Sequence, residues 1–292
     1  MCTLEDALLA CANGSIPPNI GLMRLLLAAR NEYEARKALQ ERLDNTGAAT
    51  PANFRLNRMM QLWQSAPAAF DTVKRMDALA GAGTDDWGST FDEAARISPE
   101  AAVALYSLGS ATVLDEITRE LVGCMRAWNL LNPTDCVLDF GCGTGRVAAL
   151  TASLVRLVVA VDVSAEMARL ARQRTNYCGN VFVVQGNGEA LAFLADAAFD
   201  VVVAIDSFPY VVQSGGAAKH LAETARVLKA GGRLLIMNYS YCGDLASDRR
   251  ELEEFAREFR FAIFRNGTGD LSLWDGRAFL LAKGEGPCRA HF

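Results

Sequence analysis

Apolar residues return along the chain at two spacings, and the change comes at Asn132-Pro133. Before it they recur every three or four positions, the period of one helix face. Leu4–Cys11 is a short run of this kind, broken at Asn13-Gly14. Pro17-Pro18 opens the next helix, because proline is tolerated in a first turn, and Ile20, Met23, Leu26 and Leu27 share its apolar face. The charged run Glu32–Asp44 continues as helix, with Leu39 and Leu43 on its apolar side. Pro51 opens another through Met59, Leu62 and Trp63, broken near Pro67, and a further helix runs to about Leu79. Residues 81–90, with three glycines, two aspartates and two threonines, form the strongest linker signal in the chain. Ser98-Pro99-Glu100 then starts a helix that carries Tyr106 and ends near Gly109. The next, from Thr112 to Leu131, aligns Leu114, Ile117, Leu121 and Met125.

Past Asn132-Pro133, short continuous apolar runs alternate with helical patterns, which predicts a parallel sheet with helices on both faces. A first strand ends at Asp139 and a second, Val155–Val161, is closed by Asp162. Val181–Gln185, Phe199–Ile205 and Arg233–Asn238 follow as strands three to five. Helices lie at Val147–Leu154, from Ser164 to Arg174, at Ala217–Leu228 and at Leu245–Glu258, with Lys229-Ala-Gly-Gly232 closing the third. Phe259–Arg265 and Arg277–Lys283 read as a final strand pair joined by the turn-rich Asn266–Gly276.

At 292 residues the chain can bury a substantial core with room for one large and one smaller domain. Hydrophobic residues make up 51% and charged ones 22%, as in a soluble globular protein. The formal charge of −5 gives no electrostatic reason to expect a nucleic-acid partner. No stretch approaches the roughly 18 apolar residues needed to span a bilayer, and Met1-Cys-Thr-Leu-Glu-Asp lacks the basic start of a signal peptide. A cytoplasmic protein is the expectation. The 8 cysteines include no C-x-x-C pair and there are only 2 histidines, so no zinc site is expected and the thiols read as small buried hydrophobes.

Chemistry concentrates in Val137-Leu-Asp-Phe-Gly-Cys-Gly-Thr-Gly-Arg146. A strand, a glycine turn and a helix start let backbone approach a ligand closely and present free N–H groups to oxygen-rich groups. This stretch resembles motif I of the class I S-adenosylmethionine-dependent methyltransferases. A dinucleotide fingerprint would want glycine where Arg146 stands. The resemblance covers about 110 to 285. It implies a Rossmann-like methyltransferase fold: a doubly wound, seven-stranded, mostly parallel α/β sheet ending in an antiparallel pair, with an all-helical N-terminal region. Residues 1–110 would then be a helical cap, lid or dimerisation region, and 111–292 the S-adenosylmethionine-binding domain.

Asp139 and the backbone of Gly141, Gly143 and Gly145 suit the methionine end of the cofactor, with Cys142 between them. Arg146 can pair with a carboxylate. Asp162, 21 residues past Gly141, stands where the family places the acid that accepts both ribose hydroxyls. Gly186-Asn-Gly-Glu-Ala-Leu-Ala-Phe193 resembles the family's G-D-A-E-x-L-P-F, which assigns Asn187 and Gly188 to the adenine, with Ala192 in place of the usual proline. Met167 and Leu191 are candidates to line the adenine slot, and Val163, Glu189 and Ile205 are further expected cofactor-binding residues.

Asp206-Ser-Phe-Pro-Tyr210 follows the fourth strand, at the edge where open α/β sheets bind ligands. There Asp206 can orient an amine or accept a proton, and Phe208 or Tyr210 can face a cationic or amine substrate. Asp206, Tyr210 and Tyr106 are the expected catalytic residues. Trp87, Phe91, Tyr239, Tyr241 and Trp274 are pocket candidates, and His220 reads as a surface histidine. These residues point to a methyltransferase acting on an O, N or C nucleophile of a small molecule, with a homodimer through the N-terminal helices as an open arrangement. A cyclising or eliminating enzyme of the same fold, and a non-catalytic cofactor-binding scaffold, remain alternatives at this point.

Overall fold

The computed structural model describes residues 2–83, 86–188, 191–241 and 243–284. The chain forms two compact units, one of residues 1–84, 93–120 and 271–275, the other of residues 85–92, 121–270 and 276–292.

The first unit is helical: α1 (Leu4–Ala12), α2 (Pro18–Ala28), α3 (Glu32–Asp44), α4 (Pro51–Ser65), α5 (Ala69–Gly81), the end of α6 (Trp87–Ile97), α7 (Pro99–Val103) and the start of α8 (Ala111–Ala127). Side-chain oxygens set several starts. Thr3 and Asp6 form a capping box on α1, while Asn31, Thr50 and Ser98 cap α3, α4 and α7. On α2 the buried face carries Ile20, Leu22, Leu25 and Leu26, so Met23 and Leu27 sit half-exposed beside it rather than in it. Trp63, Leu39, Leu56 and Met59 fill the same core. Residues 271–275 belong here as well. Asn19 Nδ2 donates to the carbonyls of Tyr106 (3.1 Å) and Leu273 (3.0 Å), Glu120 accepts from the Ser272 and Leu273 amides, and Arg24 pairs with Asp275 at 2.7 Å.

The second unit is a sheet with helices on its faces. In chain order it holds β1 (Cys136–Phe140), α9 (Arg146–Thr151), β2 (Leu157–Asp162), α10 (Ala165–Arg174), β3 (Val181–Gln185), β4 (Phe199–Ile205), α11 (Phe208–Gln213) and α12 (Ala217–Val227). Then come β5 (Leu228–Met237), α13 (Leu245–Glu258), β6 (Phe261–Thr268) and β7 (Ala278–Lys283). The strand order is β3-β2-β1-β4-β5-β7-β6. β1 to β5 pair in parallel, and β7 runs antiparallel between β5 and β6. This is the expected seven-stranded, mostly parallel, doubly wound fold. Leu138, Val202, Val203, Leu235 and Ile236 are each at most 1% exposed, as befits strands covered on both faces.

Two expectations fail locally. The glycine-rich stretch read as a linker enters α6 already at Trp87, with Gly88, Ser89 and Thr90 helical. Asp86 takes the place of a cap, accepting from the Ser89 amide and hydroxyl. Lys229-Ala-Gly-Gly232 belongs to β5 rather than closing a helix. Leu228 pairs with Phe199, the register slips before Val201, and the extra residues form a bulge whose Lys229 Nζ lies 2.7 Å from Asp200.

Candidate active site

Parallel strands bring their carboxyl ends to one edge, so the residues that close them become neighbours. In register, Asp139 of β1 lies beside Ala160 and Val203, and Asp162 of β2 beside Gln185. The strand order reverses between β1 and β4, the point at which an open sheet leaves a crevice.

The turn after β1 fills one side of that crevice. Gly141, Gly143 and Gly145 take φ of 69°, 53° and 71°, a left-handed conformation costly for any other residue. A Cβ on Gly141 would lie 2.3 Å from that of Ser207, whose hydroxyl donates to the Phe140 carbonyl at 2.7 Å. Glycine thus allows the ends of β1 and β4 to touch. The amides of Gly141 and Cys142 donate to the Val161 carbonyl, and that of Gly143 donates to Asp162 Oδ2 at 2.7 Å. Asp162 Oδ1 accepts from the Ser164 amide at 3.0 Å. Burial raises the pKa of Asp162, while the amides of Ser164, Gly143 and Val163 oppose that rise.

Asp139 is 2% exposed, and its Oδ2 is buried with no hydrogen-bond partner among the described residues. Burial pushes its pKa up to about 7. The Arg146 guanidinium works against that rise and the nearby Asp162 adds to it. Arg146, the first residue of α9, is 4% exposed, so it is a buried neighbour of Asp139 and not a solvated helix arginine. Burial likewise drives the Cys142 thiol well above its ordinary range, which leaves it unreactive.

Beyond β3, Asn187 is exposed and Gly188 has φ of 75°. Glu189 lies outside the described residues. Met167, Leu191 and Ile205 are all buried, and Val163 is half-buried. His220 departs from expectation: it is buried, with Nε2 3.1 Å from the Gly188 carbonyl and Nδ1 3.0 Å from that of Gly216. Its place in α12 could not be read from sequence, because only the fold brings that helix under the turn at Gly188.

A second group gathers past β4 and β5. Asp206 and Asn238 both have φ of 61°, unusual for residues with a Cβ. They hold one another: Asn238 Nδ2 donates to Asp206 Oδ1 at 2.9 Å, and Asn238 Oδ1 accepts from the Arg277 amide. Tyr241 Oη donates to the same Asp206 oxygen at 2.5 Å. The Tyr210 ring meets Tyr241 edge-on at 5.7 Å, Phe91 edge-on at 4.9 Å and Trp87 at 4.8 Å. Trp87 Nε1 donates to Ser214 Oγ at 2.8 Å. Burial raises the Tyr210 phenol, the Asp206 charge raises it further, and a hydrogen bond with Tyr241 pulls the other way. Asp92 fixes the segment that supplies Trp87 and Phe91, accepting from Ser164 Oγ (2.5 Å) and the Glu166 amide (2.9 Å).

The other aromatic candidates have partners of their own. Phe208 and Tyr239 are core residues in mutual contact, Tyr239 packing also on Phe279. Tyr106 stacks on Trp274 at 5.0 Å inside the helical unit. Sequence had no signal for joining Trp87 and Phe91 of α6, or Tyr241 after β5, to Asp206, since both stretches are far from it along the chain.

Residues 138–236 match the family model described as a methyltransferase domain. Over that segment the chain is similar to methyltransferase domains, in keeping with its resemblance to the class I S-adenosylmethionine-dependent methyltransferases. The chain is 30% identical over 118 residues to a ubiquinone/menaquinone biosynthesis C-methyltransferase of Wigglesworthia glossinidia brevipalpis, covering 38% of this chain and 46% of that protein. It is 38% identical over 139 residues to a malonyl-[acyl-carrier protein] O-methyltransferase of Herminiimonas arsenicoxydans, covering 44% and 48%. A demethylmenaquinone methyltransferase of Tropheryma whipplei is 34% identical over 105 residues, covering 36% and 42%. The chain thus spans less than half the length of these relatives. S-adenosylmethionine is the cofactor of this methyltransferase class. Among the described residues no helix is long and apolar enough to cross a membrane.

The residues present fit that cofactor. A buried carboxylate oxygen without a partner at Asp139 is an acceptor waiting for a donor, and the cofactor's ammonium is one. Each Asp162 oxygen has one amide donor, which leaves lone pairs for hydroxyls.

Proposed function

We propose that the protein transfers a methyl group from S-adenosylmethionine to a small-molecule acceptor. The observation that carries this reading is the meeting of two groups at one sheet edge. Asp139, the glycine turn and Asp162 hold chemistry for a cofactor, and Asp206 with its aromatic neighbours closes the adjoining strand. When bound, S-adenosylmethionine supplies an electrophilic methyl on a sulfonium that leaves as a neutral thioether. Asp139 and Arg146 hold the amine and carboxylate of the methionine end. Asp162 accepts from the ribose hydroxyls, and Asn187 with the Gly188 amide faces the adenine, the Gly188 turn being steadied by His220.

Asp206 and Tyr210 are the acceptor-side residues. Asp206 is kept in a conformation that a free chain would leave, which fixes its carboxylate before any acceptor arrives. Its role is to orient the acceptor and take up a proton where the nucleophile carries one. The aromatic rings exclude water from the same place. Residues 1–110 act as a cap or dimerisation region, and the protein works in the cytoplasm on neither nucleic acid nor membrane.

Incubation with S-adenosylmethionine tests the reaction type. S-adenosylhomocysteine formed only when an acceptor is added supports transfer. Methylthioadenosine formed without any second substrate overturns it in favour of cyclisation.

A further inference from the structure

We infer that the acceptor carries a cationic nitrogen, recognised by the rings of Trp87, Phe91, Tyr210 and Tyr241 together with the Asp206 carboxylate. This deepens the proposed function, on which it rests.

Four aromatic rings from three separate stretches converge at one place: Trp87 and Phe91 from α6, Tyr210 from α11 and Tyr241 from the turn after β5. Tyr210 is the centre, touching all three others between 4.8 and 5.7 Å. Hydrophobic packing alone does not explain the cluster. A packed core has no use for a carboxylate, yet Asp206 borders these rings. Its Oδ1 is bound by Tyr241 at 2.5 Å and Asn238 at 2.9 Å. Those two donors are a neutral phenol and a neutral amide, and they fix the direction of the carboxylate. Burial raises the Tyr210 phenol, and the neighbouring Asp206 adds to that rise, in keeping with the closeness of carboxylate and ring.

Aromatic faces and a fixed carboxylate both attract cations, and their attraction grows where water is excluded. A neutral quinol or ester acceptor would gain from the rings and nothing from the charge. An anionic acceptor would be repelled. A protonated or quaternary amine gains from both.

Two of the rings come from a segment that is tied down. Asp92, adjacent to Phe91, accepts from Ser164 Oγ and the Glu166 amide at the start of α10. Trp87 is held by its indole N–H on Ser214. Tyr241 is 54% exposed, so one side of the group remains open to an entering ligand.

Choline and its neutral carbon isostere 3,3-dimethylbutan-1-ol have nearly the same shape and differ in charge, so binding of the two to the full chain with S-adenosylhomocysteine present isolates the cation term. Calorimetric titration is expected to give choline an affinity at least about tenfold above the isostere. Asp206→Asn and Trp87→Leu should each remove most of that ratio, and Tyr241→Phe part of it. Circular dichroism and S-adenosylhomocysteine affinity, measured on the same variants, separate a lost cation site from a lost fold. Equal affinities for the two probes, or no binding of choline, with S-adenosylhomocysteine still bound, overturn the cation inference and leave the proposed function standing. Failure to bind S-adenosylhomocysteine at all overturns the function itself.

Discussion

Asp139 holds a proton that the unfolded chain would release. Its carboxyl rises from 3.8 to about 7 on burial, so between those values the folded state binds the proton and the unfolded state does not. Stability therefore falls as pH rises through that window and is level above it. Asp162, also raised by burial, adds to the slope with the same sign. Asp139→Asn should flatten the dependence: the urea midpoint of the parent drops from about pH 5 to pH 8, and that of the variant drops less. Parallel curves would show that Asp139 is ionised in the fold. His220 makes a separate case. Its imidazole lies against the carbonyl of Gly188, so His220→Ala should weaken S-adenosylhomocysteine binding about fivefold, the worth of one ordinary hydrogen bond, without lowering helix content. Unchanged affinity would limit His220 to packing.

At the scale of elements, strands were legible where burial on both faces made the apolar run continuous. The buried strand β4 falls where the sequence places it and β2 ends at Asp162 as read, while the half-exposed edge strand β3 and the helix α13 also match without such burial. Because Leu138 is fully buried in β1, Leu138→Ala should cost roughly 2–5 kcal/mol, readable as a fall in the urea midpoint with unchanged slope. A loss under about 1 kcal/mol would contradict the core position given to β1. Legibility ended where tertiary contact outweighed local preference. Gly88 and Ser89 favour a loop, but Asp86 caps them into α6, and Trp87 and Phe91 are held by partners more than a hundred residues away. The bulge at Lys229–Gly232 follows from pairing with β4, which no local window contains. The cofactor side of the site was legible for a related reason. Its residues lie in short motifs at strand ends, whereas the rings around Asp206 come from three distant stretches.

For the whole molecule, the chain is interleaved: residues 85–92 fold with the sheet unit and residues 271–275 with the helical unit. The first exchange supplies Trp87 and Phe91 to the group at Asp206, and the second inserts Trp274 against Tyr106. Lengthening the chain between Gly81 and Asp86 by a few glycines should leave cofactor affinity intact while lowering the choline preference, since only the aromatic segment loses its anchoring. An unaltered preference would mean that Asp92 and Ser214 hold the segment unaided. The claim on which everything else depends is that Asp162, folded back on the glycine turn, holds the ribose of S-adenosylmethionine. Calorimetric titration of S-adenosylmethionine into the parent and Asp162→Ala chains tests it most directly. Binding by the parent with a loss of about 10- to 100-fold in a variant of native circular dichroism is the predicted result. Equal affinity in the two chains would contradict it.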